Sequence, residues 1–89
     1  KSVYVTATTD CYEKCDEVEA EVNLQRLEGS TWAYVTSRDK IRKNVGSVTV
    51  SDTITVKSGY YYRVVSFHSA TKNGKTEVGS ASSHSLYIG

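Results

Sequence analysis

The run Glu17-Val18-Glu19-Ala20-Glu21-Val22-Asn23-Leu24 alternates a polar side chain with an apolar one at every step. A helix would scatter those side chains around its axis, whereas a strand sends them to opposite faces, so the segment reads as a half-buried strand. A one-residue slip in its pairing would drive three carboxylates into the core, and the alternation therefore also sets the register. Just before it, at the mouth of the strand, stand Cys11 and Cys15, the only cysteines in the chain.

Period-two patterning recurs along the sequence. Val3, Val5 and Ala7 share one face of a first strand that ends at Asp10. Glu28-Gly29-Ser30 reads as a turn, and Thr31 to Thr36 returns as a strand carrying Trp32 and Tyr34 on one face. The indole has the largest apolar area to bury, so Trp32 is expected in the core beside Tyr62 and Val64, against the opposite parity that would bury Ala33 and Val35. Ser37 to Asn44 is charged and aperiodic, a connection or a short edge strand. Val48, Val50, Ile54 and Val56 share parity, with Ser51-Asp52-Thr53 as a bend or bulge between them.

Tyr60 to Ser69 has two partly apolar faces, Tyr62/Val64/Ser66/His68 and Tyr61/Arg63/Val65/Phe67, as a central strand requires. Asn73-Gly74 predicts a tight hairpin, because both residues accept positive φ. Centring the hairpin there sets His68 opposite Gly79 and His84 opposite Arg63. A last strand is expected from Glu77 to Ile88.

About seven such runs, joined by short turns and free of helical periodicity, predict an all-β fold: a two-sheet antiparallel sandwich. With 89 residues and no linker or repeat, residues 1–89 are expected to form a single β-sandwich domain, near the lower end of what folds alone. Tyr60-Tyr61-Tyr62-Arg63-Val64 after a Gly turn, with a Trp on an earlier strand, resembles the immunoglobulin and fibronectin type III plan. A second resemblance spans nearly the whole chain. Its elements are Cys11 and Cys15, the strand ending Leu24-Gln25-Arg26, Gly29 and Trp32, Gly59-Tyr60-Tyr61-Tyr62-Arg63-Val64 with His68 downstream, and Glu77 before a Ser-rich end. In this order they resemble a family of small exported proteins of unknown function from Gram-positive bacteria. That resemblance implies secretion, a cysteine bridge and a compact β domain, and it carries over no catalytic or ligand-binding residue.

Two cysteines are too few for a structural zinc site, which leaves a disulfide or a pair of thiols; Cys11 and Cys15 are expected to be bridged. Closing so short a loop contributes about 2 kcal/mol. Methionine is absent even at position 1, as expected of a processed mature chain or a trimmed one, so any export signal is expected to have been removed already. Eleven basic side chains against ten acidic ones, a net charge of +1, set up no field to concentrate nucleic acid. No apolar run approaches the roughly 20 residues of a membrane span.

Catalytic and metal chemistry find little purchase. Neighbours in the row Glu17, Glu19, Glu21 lie roughly 6.8 Å apart on a strand face, whereas calcium needs six to eight converging oxygens. His68 and His84, the only histidines, are not cross-strand neighbours, and His68 is read as a hydrogen-bonded structural residue. No serine sits in a nucleophile elbow, and no glycine loop precedes a helix. Aromatics carry what remains: Tyr61 and Phe67 share a face with Arg63, and flat rings give contact area at low entropic cost. The expectation is a secreted, non-enzymatic binding or structural module, without metal or cofactor. Tyr61, Arg63 and Phe67 would contact cell-wall polysaccharide or another protein, and the same face can close a homodimer. The competing class is a secreted antimicrobial, toxin-like or inhibitor protein acting on another macromolecule.

Overall fold

A computed structural model describes all residues, 1–89, and every regular element in it is a strand. The strands are β1 (Ser2–Glu28), β2 (Thr31–Thr55), β3 (Tyr60–Lys72), β4 (Lys75–Ser82) and β5 (Leu86–Ile88). All pairings are antiparallel and belong to one sheet of order β2-β1-β3-β4, with β5 beside β3. The all-β antiparallel expectation is met, but with five strands in one sheet instead of about seven in two. The expected runs merge because the hydrogen-bonded ladder between β1 and β2 continues through the bends that the sequence marks as breaks.

Those bends fold the sheet over on itself. A strand of 27 residues would extend roughly 90 Å, yet the longest dimension of the molecule is 46 Å. The ladder shifts register between Asp10 and Cys15, and opposite it Asn44 takes the left-handed region at φ 57. Beyond this corner the ribbon of residues 2–10 and 47–55 turns back across residues 17–28. Arg38 and Asp52, both on β2, thereby meet at 2.7 Å.

The space between holds the core. Val18, Ala20, Val22 and Leu24 look inward and are met by Val5, Ala7, Val48, Val50, Ile54, Val56 and Tyr62. These are the apolar sets that the alternation assigns, and the three glutamates lie on the other side of the strand. Tyr62, 2% exposed, donates its hydroxyl to the Lys57 carbonyl at 2.7 Å. Thr9 donates to the Glu19 carbonyl at 2.8 Å and sits 2.6 Å from His68 Nδ1. A hydroxyl has one proton, so Nδ1 is then the donor to Thr9. His68 Nε2 lies 3.1 Å from Ser66 Oγ, and the imidazole pins the folded-over ribbon to β3.

Turn chemistry fits the tight connections. Gly29 at φ 65 opens the β1–β2 hairpin. Asn73 at φ 53 and Gly74 at φ 77 make the β3–β4 turn with both central residues left-handed, the geometry of a type I′ hairpin. His68 faces Gly79, as the turn predicts. The expected final strand is interrupted: the ladder ends at Val65↔Ser82 and resumes at Tyr62↔Leu86, leaving His84 between strands and exposed rather than opposite Arg63. There the Ser83 N–H and hydroxyl bind the carbonyl and N–H of Val64, so the chain steps aside before β5.

Trp32 does not occupy the core position expected of it. It is half-buried on the outer face, not in the core, and the cause is a single residue. The pairing is Leu24↔Thr36 and then Gln25↔Tyr34, so Val35 is an extra residue in β2. Below that bulge even-numbered β2 residues face inward; above it the parity inverts, Val35 packs against the core, and Trp32 and Tyr34 swing outward.

Candidate functional site

The outer face of the long arm of the sheet collects side chains from four strands. Odd-numbered residues of β1 and β3 point there, because their even-numbered neighbours fill the core. Leu27 pairs with Trp32, Gln25 pairs with both Tyr34 and Arg63, and Tyr61 pairs with Tyr87. One register step beyond Arg26↔Tyr62 sets Tyr61 beside Leu27. The result is a cross-strand row Trp32, Leu27, Tyr61, Tyr87 at one end of the face.

Arg63 organises this row. Its guanidinium lies over the indole of Trp32, 4.5 Å from the ring centroid, and its Nε donates to Gln25 Oε1 at 2.7 Å. The ring holds the charge by its quadrupole and the amide fixes the rotation of the guanidinium plane. Tyr61 and Tyr87 pack with centroids 5.0 Å apart and remain 47% and 53% exposed. Asn23 follows Gln25 along β1 on the same face, and its Oδ1 is buried without a hydrogen-bond partner.

Phe67 shares the face but not the cluster. Four residues beyond Arg63, roughly 13 Å along the strand, it lies opposite Glu21 and lines a shallow depression of about 500 Å³ with Glu19 and Val78. Burial, and then the neighbouring Asp39, raise the Glu19 carboxyl above its ordinary value of 4.5. Of the three expected contacts, the fold thus brings Tyr61 and Arg63 together and leaves Phe67 at the acidic end. Trp32, Tyr34 and Tyr87 join the face from β2 and β5, and their membership depends on the bulge at Val35 and on the β4–β5 step.

Cys11 and Cys15 flank the corner of β1, where Tyr12 is fully exposed. They are neighbouring thiols, Cys15 buried and Cys11 partly so. The neighbouring Cys15 thiol, and then burial, push the Cys11 thiol up to about 11, and a protonated thiol is a poor nucleophile. The corner is tied to the β3–β4 hairpin by Lys72 on Glu13 and by the Asn73 N–H on Asp16 Oδ2 at 2.9 Å. No three of the His, Cys, Asp and Glu side chains converge as a metal site, and no helix is long and apolar enough to cross a membrane. The chain matches no known family model, no curated protein and no solved structure.

Proposed function

We propose that the protein is an exported, non-enzymatic binding module whose outward aromatic face holds a polysaccharide of the cell wall. One observation carries this reading: Arg63 lies flat on Trp32 and is bonded to Gln25, beside the exposed Tyr61–Tyr87 pair. Rings and guanidinium are held by a rigid sheet before any ligand arrives, so little side-chain freedom is lost on binding. The apolar ring faces suit the C–H faces of sugars. Gln25 and the remaining Arg63 N–H groups suit their hydroxyls.

The architecture belongs to the same reading. The folded-over sheet acts as a sandwich of immunoglobulin-like kind, supported by the Tyr62 hydroxyl bonded to the carbonyl of Lys57. Such domains place a tyrosine in this way, near the start of a strand and bonded back across a turn. Export to an oxidising compartment would bridge Cys11 and Cys15, fastening the corner rather than the whole domain.

Trp32 is the single tryptophan, so the face carries its own reporter. Titration with purified cell-wall polysaccharide should change Trp32 fluorescence saturably, and Tyr61→Ser with Tyr87→Ser should abolish the change while the circular dichroism stays native. An unchanged spectrum at saturating polysaccharide overturns the reading. Concentration-dependent dimerisation lost in the same variants would assign the face to a second copy instead.

A further inference from the structure

The upper ribbon has two edges, and they are treated differently. Residues 2–10 of β1 pair only with 47–55 of β2; no strand lies on their other side. The Val56 N–H binds the Lys1 carbonyl at 2.9 Å, which places hydrogen-bonded pairs at the odd positions of β1. The even positions are the non-bonded pairs, as the 2.8 Å contact between the Thr8 and Thr49 hydroxyls also indicates. Tyr4 and Thr6 therefore aim their N–H and C=O groups away from β2, and no backbone bond outside the ladders reaches them.

Beneath this edge lies a groove of about 440 Å³ whose floor includes Val64, Ser66, Ala81 and Leu86. The floor exists because the lower part of the sheet is wider than the two-stranded ribbon above it, and Leu86 is left 56% exposed. On the β2 side of the ribbon, by contrast, Asp52 accepts the outward N–H of Thr53 at 2.8 Å and pairs with Arg38. Charge placed on an edge is a usual guard against an added strand. Between Lys1 and Asp10 the β1 edge carries no charged residue at all.

We propose that the groove receives an extended peptide segment of a partner protein, which adds as a third strand to the ribbon alongside Val3–Thr6. The unused backbone groups of Tyr4 and Thr6 specify a strand as occupant, since only an extended backbone offers donors and acceptors at that spacing. Alternate side chains of the segment rest on Val64, Ala81 and Leu86, so those positions are small and apolar while the others are polar. A second copy does not fit edge to edge: its own β3–β4–β5 shelf would occupy the place of the first. The aromatic face lies on the opposite side of β3, and of its residues Arg63 alone also lines the groove.

The test uses a capped peptide of sequence KTVTVTK at up to millimolar concentration, with amide hydrogen exchange of the intact protein as readout. Exchange at Tyr4 and Thr6 should slow at least tenfold, without change in Trp32 fluorescence. A peptide N-methylated at alternate residues should give no protection. Thr6→Pro removes an N–H that the ladder to β2 does not use, and Leu86→Glu charges an exposed floor position; each should weaken binding at least tenfold with native circular dichroism. If Thr6→Pro perturbs the fold, Leu86→Glu alone decides. Absence of protection at Tyr4 and Thr6, equal binding of the N-methylated peptide, or a dimer in sedimentation whose interface protects these amides would overturn the proposal.

Discussion

Replacing Tyr62 separates two contributions that the fold combines at one side chain. Its ring is almost wholly buried and meets Tyr60 edge-on, with centroids 6.5 Å apart at 73°. Its hydroxyl reaches a carbonyl on an exposed residue, Lys57. Tyr62→Phe keeps the ring and loses one hydrogen bond, and water can reach the freed carbonyl, so the cost should be about 1 kcal/mol. That corresponds to a fall in Tm of about 4–8 °C for a domain of this size. Tyr62→Ala removes the ring and leaves a cavity, at roughly 3–5 kcal/mol. A chain of this length has a total stability of roughly 4–13 kcal/mol, so the alanine variant should be near unfolding. Urea denaturation followed by circular dichroism measures both, with an unchanged m-value for the phenylalanine variant. A phenylalanine variant as unstable as the alanine one would show that the hydroxyl, not the buried ring, holds this corner, and would refute the reasoning.

Other substitutions probe the remaining features. Glu19 has a raised carboxyl pKa, so its charged form opposes folding. Glu19→Gln should raise Tm at pH 7, and the gain should shrink as pH falls through the raised value and vanish below the ordinary 4.5; a gain that persists at lower pH would contradict this. Trp32→Ala loses a half-buried ring and its stacked guanidinium, about 1–2 kcal/mol by denaturation, and a loss above about 3 would return the indole to the core. Cys11→Ser with Cys15→Ser should cost about 2 kcal/mol or less relative to the oxidised protein, and two titratable thiols in protein folded under oxidising conditions would argue against the bridge. Thr9→Val leaves the Glu19 carbonyl and His68 Nδ1 without their shared partner, for about 1–3 kcal/mol, and faster amide exchange confined to residues 2–10 should accompany it.

Alternation was enough to read the inward sets on β1, the late part of β2 and β3, because each run keeps one parity over its length. It also put Tyr61, Arg63 and Phe67 on one outward face. For Trp32 the size of the ring decides the expected parity of Thr31–Thr36, whereas the extra residue at Val35 turns the indole outward, and nothing local marks that residue as a bulge. Neither were Trp32, Tyr34 and Tyr87 legible as neighbours of Arg63, since cross-strand adjacency depends on registers set elsewhere in the fold. The strand count differs for a related reason: the charged run Arg38–Lys43 stays in the ladder, and the cysteine corner bends that ladder without ending it. The uncovered floor beside Val3–Thr6 follows from the different widths of the two parts of the sheet, which no single segment encodes.

The long β1–β2 ladder also dictates an order of assembly. Its pairs are nested about Gly29 and Ser30, from Glu28↔Thr31 out to Ser2↔Thr55. Each pair closes next to one already made, so the chain can zip outward without closing one large loop at once. In synthesis from the N-terminus, however, Val3, Val5 and Ala7 emerge before the rest of this sheet and must wait for the last residues of β2. The first strand made is the last one finished, and for that interval its apolar face and both of its edges are open to any other nascent chain.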